Sequence, residues 1–452
     1  MKTLPLKEIF AFILTTGLGQ LAAAADDLSG SWILSSEAFI GGGTSEATLT
    51  LKQEGAELSG AYEDGFGKPE IEEGKVADGE ISFKITRTFG DRVFTTKYSG
   101  KLKGKLLIGS MTLEGFNEPR TVEWRAYRAP EIDPTGLWKW QTTSQRDGTK
   151  RDSWVKLTYA GGELTGTYKT GRGQSQVVDA KLEGKQISFK VVLRFGERSF
   201  STAYSGMLGD KGLSGKITSR RGEEDRVVDW AAARDIPKVD PLGTWSWSRP
   251  GRDGALNETK ITIKKEGDHL TGTLSGGDTE TPIEDAKLDG DVLNFKMTRE
   301  NDRGSLVTTY SGKIDGDVLI AKIGINFGER TFNRKVVAKR VLAKANPVGT
   351  WTWTSRRGRD GDSVENKLTL TKADGKLAGS FTRGDDQSAL EDLALDGNTV
   401  SFKLQRTFRD NPVTLRYSGQ IRGDSIKGSY RFGDSDEAGG WETFWNAERA
   451  AK

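Results

Sequence analysis

The sequence predicts an all-β protein made of four tandem eight-stranded antiparallel up-and-down β-barrels. Three observations predict it. Gly-x-Trp recurs at Trp32, Trp138, Trp245 and Trp351, and Tyr-Ser-Gly at Tyr98, Tyr204, Tyr310 and Tyr417, in steps of 106 or 107 residues. That period is the size of a domain that closes its own core, not of a solenoid repeat that leans on its neighbours. Within each period, runs alternate large apolar with small polar residues, the period-two mark of half-buried strands. Asp-Gly and Gly-Asp pairs separate the runs, as hairpins require.

Taken in order, residues 1–25 read as a secretory signal peptide. Lys2 and Lys7 precede an apolar run centred on Ile9 to Leu14, and Ala22 to Ala25 supply the small residues before cleavage. No second long apolar stretch follows, so no membrane span is expected and the mature chain should be secreted, to the periplasm or the exterior. The repeats are expected at 26–129, 130–235, 236–341 and 342–452. Linkers such as Ala129-Pro130-Glu131-Ile132-Asp133-Pro134 and Asp235-Ile236-Pro237 are short and proline-bearing, hence semi-rigid. The repeats then form either a string or a side-by-side cluster.

The fourth repeat has the plainest turns. Its runs predict strands at 349–356, 363–372, 376–383, 387–395, 399–408, 412–421, 425–432 and 440–449, and no segment carries a capped 3.6-residue period. Eight short strands can abolish their unpaired edges by closing into a barrel. Trp351, Trp353, Leu368, Leu370, Phe402, Leu404 and Tyr417 fall on its inward face. The matching strand-one pairs are Trp138/Trp140 and Trp245/Trp247, while the first repeat has Trp32 with Leu34. These aromatics either fill the core or line a pocket.

Each repeat ends on an arginine: Arg128, Arg234, Arg340 and Arg449. In a closed barrel the last strand pairs with the first, so this guanidinium is expected to lie over Trp32, Trp138, Trp245 or Trp351 as a structural cation–π lock. Candidate ligand contacts are Trp140, Trp247 and Trp353, the tyrosines Tyr98, Tyr204, Tyr310 and Tyr417, and Arg87, Arg299 and Arg406. Each of these arginines follows an inward phenylalanine by four residues and so shares its face. At that place it either reaches water at the barrel's mouth or meets an anion. The second repeat has Leu193 there instead, with Arg194 beside it.

Gly349-Thr350-Trp351 on strand one, Leu164-Thr165-Gly166-Thr167-Tyr168 on strand three and Thr95-Thr96-Lys97-Tyr98-Ser99-Gly100 on strand six resemble the lipocalin, fatty-acid-binding and avidin superfamily. Avidin and streptavidin barrels look most similar, and the repeats also resemble domains of uncharacterised secreted bacterial proteins. The resemblance implies a barrel able to hold one small ligand. It does not imply biotin, because the family's asparagine two residues after the strand-one tryptophan is here Leu34, Trp140, Trp247 or Trp353. The strand-three tyrosine survives as Tyr62 and Tyr168 but becomes Leu274 and Phe381. A site built to hydrogen-bond a buried ligand fails steeply when its polar partners vanish.

Composition narrows the function. There is no cysteine and one histidine, His269, so neither disulfides, a thiol nucleophile, nor a histidine-rich metal site is expected. Acids cluster in turns (Glu63-Asp64, Glu223-Glu224-Asp225, Asp385-Asp386), away from the inward positions a glycosidase would use. A net charge of +3 spread through every repeat gives no footprint for nucleic acid. First-loop motifs such as Gly251-Arg252-Asp253-Gly254 and Gly358-Arg359-Asp360-Gly361 read as hairpin chemistry, and the Arg-Gly-Asp triplets at 383–385 and 422–424 as hairpin tips. The expected protein is secreted and non-catalytic, with no cofactor and no metal. It either binds a small apolar or amphiphilic molecule or a glycan in each barrel, or acts as a filled, multivalent scaffold for a protein partner. Glycan hydrolysis is the remaining alternative.

Overall fold

The computed structural model describes residues 27–37, 44–64, 67–89, 92–115, 118–143, 148–195, 198–221, 224–250, 256–276, 279–301, 304–327, 330–356, 362–408, 411–433 and 440–451. The expected signal peptide lies outside them, as do nearly all of the first-loop motifs. Every regular element among the described residues is a strand.

The first repeat is a closed barrel of eight strands: Gly30–Glu37, Thr44–Glu54, Glu57–Glu63, Glu72–Ala77, Glu80–Phe89, Arg92–Lys103, Leu106–Glu114 and Arg120–Arg128. Sequential neighbours pair antiparallel, and the last strand returns to the first with Trp32 opposite Arg128. In the fourth repeat the observed strands follow the expected runs within three residues at each end. One run differs, being divided into Asp386–Ala389 and Glu391–Asp396.

The expectation of four separate eight-stranded barrels is met only in part. The second and fourth repeats each pair first strand with last, Trp138 opposite Arg234 and Trp351 opposite Arg449, but they share one continuous closed sheet. Gly173 and Gln174 pair with Thr443 and Glu442, which joins the two repeats edge to edge. The third repeat is a nine-stranded sheet open between Thr279–Pro282 and Glu284–Asp289. At the break the N–H of Ile283 reaches the Gly272 carbonyl at 3.0 Å, as that of Ile71 reaches the Gly60 carbonyl at 2.9 Å in the first repeat.

Just past that break the chain is bulged. Asp285 has φ of 54°, and Glu73, Asp179 and Asp392 take 54°, 52° and 49° at the same place in the other repeats. Each coincides with a register shift against strand five. A bulge bends its strand and increases its twist, which helps a short sheet curl. Each bulge carboxylate meets a strand-five lysine, at 2.6 Å for Lys84–Glu73, 2.8 Å for Lys190–Asp179, 2.8 Å for Lys296–Asp285 and 2.7 Å for Lys403–Asp392. Exposed pairs of this kind add little stability but mark the register.

The expected lock is present in every repeat. The guanidinium carbon lies 4.5 Å from the ring centroid for Arg128 on Trp32, 4.4 Å for Arg234 on Trp138, and 4.0 Å for both Arg340 on Trp245 and Arg449 on Trp351. Its terminal nitrogens also donate to two carbonyls of the segment entering strand one. These are Ser29 and Asp27, Thr135 and Asp133, Leu242 and Asp240, and Val348 and Asn346. The indole N–H donates to the carbonyl four residues earlier, at 2.8–3.1 Å. Side chains of Asp27, Asp133, Asp240 and Asn346 accept from the N–H two residues on, bending this segment across the barrel's end.

The lock explains the glycine of Gly-x-Trp. Gly349 has φ of 138°, and a Cβ there would stand 2.6 Å from Arg449 Nη1. Gly349→Ala should therefore cost about 1–3 kcal/mol through backbone strain and a displaced guanidinium. Denaturant unfolding of the full chain checks this, and an unchanged midpoint would show that the close approach is not needed.

Neighbouring repeats touch. Tyr127 of the first packs edge-on against Tyr159 of the second at 5.8 Å, whose hydroxyl donates to the Arg128 carbonyl at 3.3 Å. Ion pairs join Lys335 to Glu46 at 2.8 Å, Lys156 to Asp315, and Arg422 to Asp317.

Candidate functional site: barrel interiors and mouths

The interiors are built from one repeated device. Phenylalanine on strand five faces tyrosine on strand six, and the two rings stack: Phe83–Tyr98, Phe189–Tyr204, Phe295–Tyr310 and Phe402–Tyr417. Their centroids are 4.4–4.8 Å apart, with planes within 7–11° of parallel. Tryptophans from the last strand, Trp124, Trp230 and Trp445, lie buried beside the pair. Their indole N–H groups donate to serine carbonyls at 3.0–3.2 Å. Room for them comes from the glycine of Tyr-Ser-Gly: a Cβ at Gly100 or Gly419 would strike Trp124 or Trp445 at 2.8 and 2.7 Å.

These last-strand tryptophans were not among the sequence candidates. Their signal was available, because each stands four residues before the closing arginine. The third repeat has Val336 at that place, and there the interior keeps a void of about 10 Å³ lined by Trp247, Phe295, Tyr310, Gly312 and Val336. That is about the least space a single water can occupy. A shallow trough of about 370 Å³ lies on the outer face of the same repeat, along Asn294, Lys296, Thr309, Ser311 and Lys322.

The other aromatic candidates are part of the packing. Trp140 is 5% exposed, 5.1 Å from Trp230 and 5.7 Å from Tyr204. Trp353 is half-buried, 4.9 Å from Trp445 and 5.6 Å from Phe381. Burial pushes the Tyr62 phenol from 10.0 to about 12, helped by the nearby Asp64 charge. It also drives Tyr98, Tyr204 and Tyr417 up. Tyr98 is hydrogen-bonded to Tyr62, and Tyr204 to Tyr168.

The end opposite the lock is the mouth, and there the repeats diverge. Arg87 lies 5.6 Å from the Tyr62 ring and donates to Asp64 Oδ1 at 2.9 Å, an ion pair less than a fifth exposed on either side. Arg299 is exposed and donates to Thr281 Oγ1 at 3.2 Å. Arg406 lies 5.3 Å from the Phe381 ring, and among the described residues its buried Nη2 has no hydrogen-bond partner. Leu193 and Arg194 lie on the strand Gln186–Phe195, but their side chains are outside the described set. The fourth mouth also carries Trp441, which packs against Gly173 and lies 6.5 Å from Tyr168 of the second repeat. Its neighbour Glu442 accepts from Gln174 and Ser429 at 2.9 and 3.0 Å. The Arg-Gly-Asp triplets sit at hairpin tips with Gly384 and Gly423 at φ 58°, and Asp424 is engaged by the lock residue Arg449 at 2.7 Å.

Among the described residues no group of three or more histidines or acids could hold a metal ion. Among the described residues no helix is long and apolar enough to cross a membrane, which says nothing of strands.

No family model matches the sequence, and no curated relative does. Among solved structures the chain is similar to a putative outer membrane protein of Bacteroides fragilis, at 12% identity over 46% of this chain and 97% of that one, with a TM-score of 0.18. A protein of unknown function from Nostoc punctiforme matches at 14% over 46% and 96%, with a TM-score of 0.15. A double mutant of transferrin binding protein B from Haemophilus parasuis matches at 11% over 100% and 99%, with a TM-score of 0.16. Scores this low carry no argument, and nothing about this chain's activity follows from them.

Proposed function

We propose that the chain is a secreted, non-catalytic scaffold of avidin-like repeats with filled interiors, presenting its outer faces and mouths to a protein partner. The observation that carries this reading is the packing of the inward aromatics. Residues that could have lined a pocket instead touch one another, and the void in the third repeat is too small for a ligand. His269 is exposed at the start of its strand, with no acid–base partnership around it that repeats from barrel to barrel. Ile320 and Val337 face each other across two strands on the outside of the third repeat, 42% and 52% exposed, and offer apolar contact area. Contacts joining the repeats hold several such faces at once, which favours binding through multiplicity.

Titrating the full chain with a neutral long-chain alcohol and with a neutral oligosaccharide tests this reading. Tryptophan emission and thermal midpoint should both stay unchanged. A saturable quench accompanied by a rise in midpoint would overturn the filled-barrel scaffold in favour of ligand carriage.

A further inference from the structure

Lys335–Glu46, Lys156–Asp315 and Arg422–Asp317 join different repeats, and each of these ion pairs ends on the third. At those ends the third repeat departs from the first two. Five and seven residues after the tyrosine of Tyr-Ser-Gly it has Asp315 and Asp317, where the first has Lys103 and Lys105 and the second Gly209 and Lys211. Five residues before the closing arginine it has Lys335, where those two have Glu123 and Asp229. Relative to the first repeat, all three charges are inverted.

Inside its own sheet the inversion is unfavourable. Lys335 stands directly across from Lys322, where the second repeat pairs Lys216 with Asp229, and like charges at such a site repel. Glu46 relieves this from outside, at 2.8 Å. Three residues before the partner of the strand-one tryptophan, the other repeats have Asp152, Glu258 and Glu365 in its place. Those acids meet Lys139, Lys260 and Lys367 of their own repeats at 2.9, 2.9 and 3.2 Å, whereas the first repeat has Thr48 where Lys260 and Lys367 stand. Lys156 is exceptional too, since Thr50, Thr262 and Thr369 hold its place. Arg422 occupies in the fourth repeat the position of Asp315 in the third, with the opposite sign.

We propose that the third repeat is the hub on which the other three dock, and that its inverted charges assign it that place. An exposed ion pair adds little adhesion, but a like-charge contact at the same point repels, so the inversion decides which repeat can sit there. The charges of the first repeat in the hub position would set lysine against Lys156 and Arg422, and glutamate against Glu46. Asp317 also accepts from Nε of the lock residue Arg340 at 3.1 Å, which ties docking of the fourth repeat to closure of the third. This assignment does not rest on the scaffold reading, whose test is ligand titration.

Small-angle scattering of the full chain at low salt is the test. Reversing the partners together, with Glu46→Lys, Lys156→Glu and Arg422→Glu, leaves the third repeat untouched and should raise the radius of gyration while far-ultraviolet dichroism stays native. Adding Lys335→Glu, Asp315→Lys and Asp317→Lys should bring the radius back. Lysine suits the last position, since Lys105 and Lys211 hold it in repeats whose locks are formed. At about 1 M salt, where the screening length is about 3 Å, the partner-side variant should contract toward the native radius. Glu46→Lys alone should give a smaller expansion that Lys335→Glu reverses, and this pair carries the test if the triple variant does not fold. The proposal is overturned if the partner-side reversal scatters like the native chain, or if the sixfold variant stays expanded.

Discussion

Trp32→Ala should lower the stability of the first repeat by roughly 3–5 kcal/mol, the range for truncating a large buried aromatic. Trp32 is 1% exposed, and three kinds of contact end on it. Its indole N–H holds the Leu28 carbonyl at 2.9 Å, its face carries Arg128 at 4.5 Å, and its edge joins the core. Without the ring, Arg128 loses its platform, and the segment it clamps through the Ser29 and Asp27 carbonyls loses its anchor. At about 4–8 °C per kcal/mol for a domain of this size, one calorimetric transition should fall by about 12–40 °C. Transitions of the other repeats should hold. Trp32→Phe separates the contributions: it keeps an aromatic face under Arg128 but removes the N–H donor, and should cost nearer to about 1 kcal/mol for the lost bond. If Trp32→Ala leaves the calorimetric trace unchanged, the lock is ornamental and closure rests on the strand ladder alone.

The lock was legible in the sequence because it is made of strand ends. Trp351 and Arg449 are far apart in the chain, yet closure of an antiparallel meander puts first and last strands side by side. Inward positions were legible for the same reason, since the side-chain period of two assigns Leu368, Leu370, Phe402, Leu404 and Tyr417 to one face, and all are buried. What escaped was non-local. The division of strand four goes with a left-handed residue just beyond it, Asp285 or Asp392, and a single alternating run does not announce a bulge. The sheet shared by the second and fourth repeats depends on Thr443 and Glu442 pairing with Gly173 and Gln174, a contact between repeats that no internal periodicity encodes. The mouths were half legible. Arg87, Arg299 and Arg406 look alike in the sequence and reach three different ends, because what each meets, Asp64, Thr281 and the Phe381 ring, lies elsewhere in its repeat.

Stability should fall steeply between about pH 10 and pH 12, and the inward tyrosines set the sign. In the unfolded chain a phenol loses its proton near pH 10. In the fold, burial holds the Tyr62 phenol up to about 12 and pushes Tyr98, Tyr204 and Tyr417 in the same direction. Between the two values the unfolded state binds fewer protons than the native one, so the slope of unfolding free energy against pH is negative. The tyrosine contribution is therefore complete below pH 10 and is lost as pH rises through the folded value. For Tyr62 a rise from 10.0 to about 12 corresponds to roughly 3 kcal/mol, at about 1.4 kcal/mol per pKa unit. Lysines such as Lys84 and Lys296, raised by hydrogen bonds to Glu73 and Asp285, carry the same sign but are solvent-screened and weigh less. Urea unfolding at steps from pH 9 to pH 12, read beside tyrosinate absorbance, should show ionisation of the inward phenols appearing together with unfolding. Tyr62→Phe should flatten the slope in the first repeat while leaving its stacking neighbours in place. Midpoints that hold level up to pH 11.5, with phenol absorbance rising freely near pH 10, would mean that water reaches these hydroxyls and that the barrel interiors are open rather than filled.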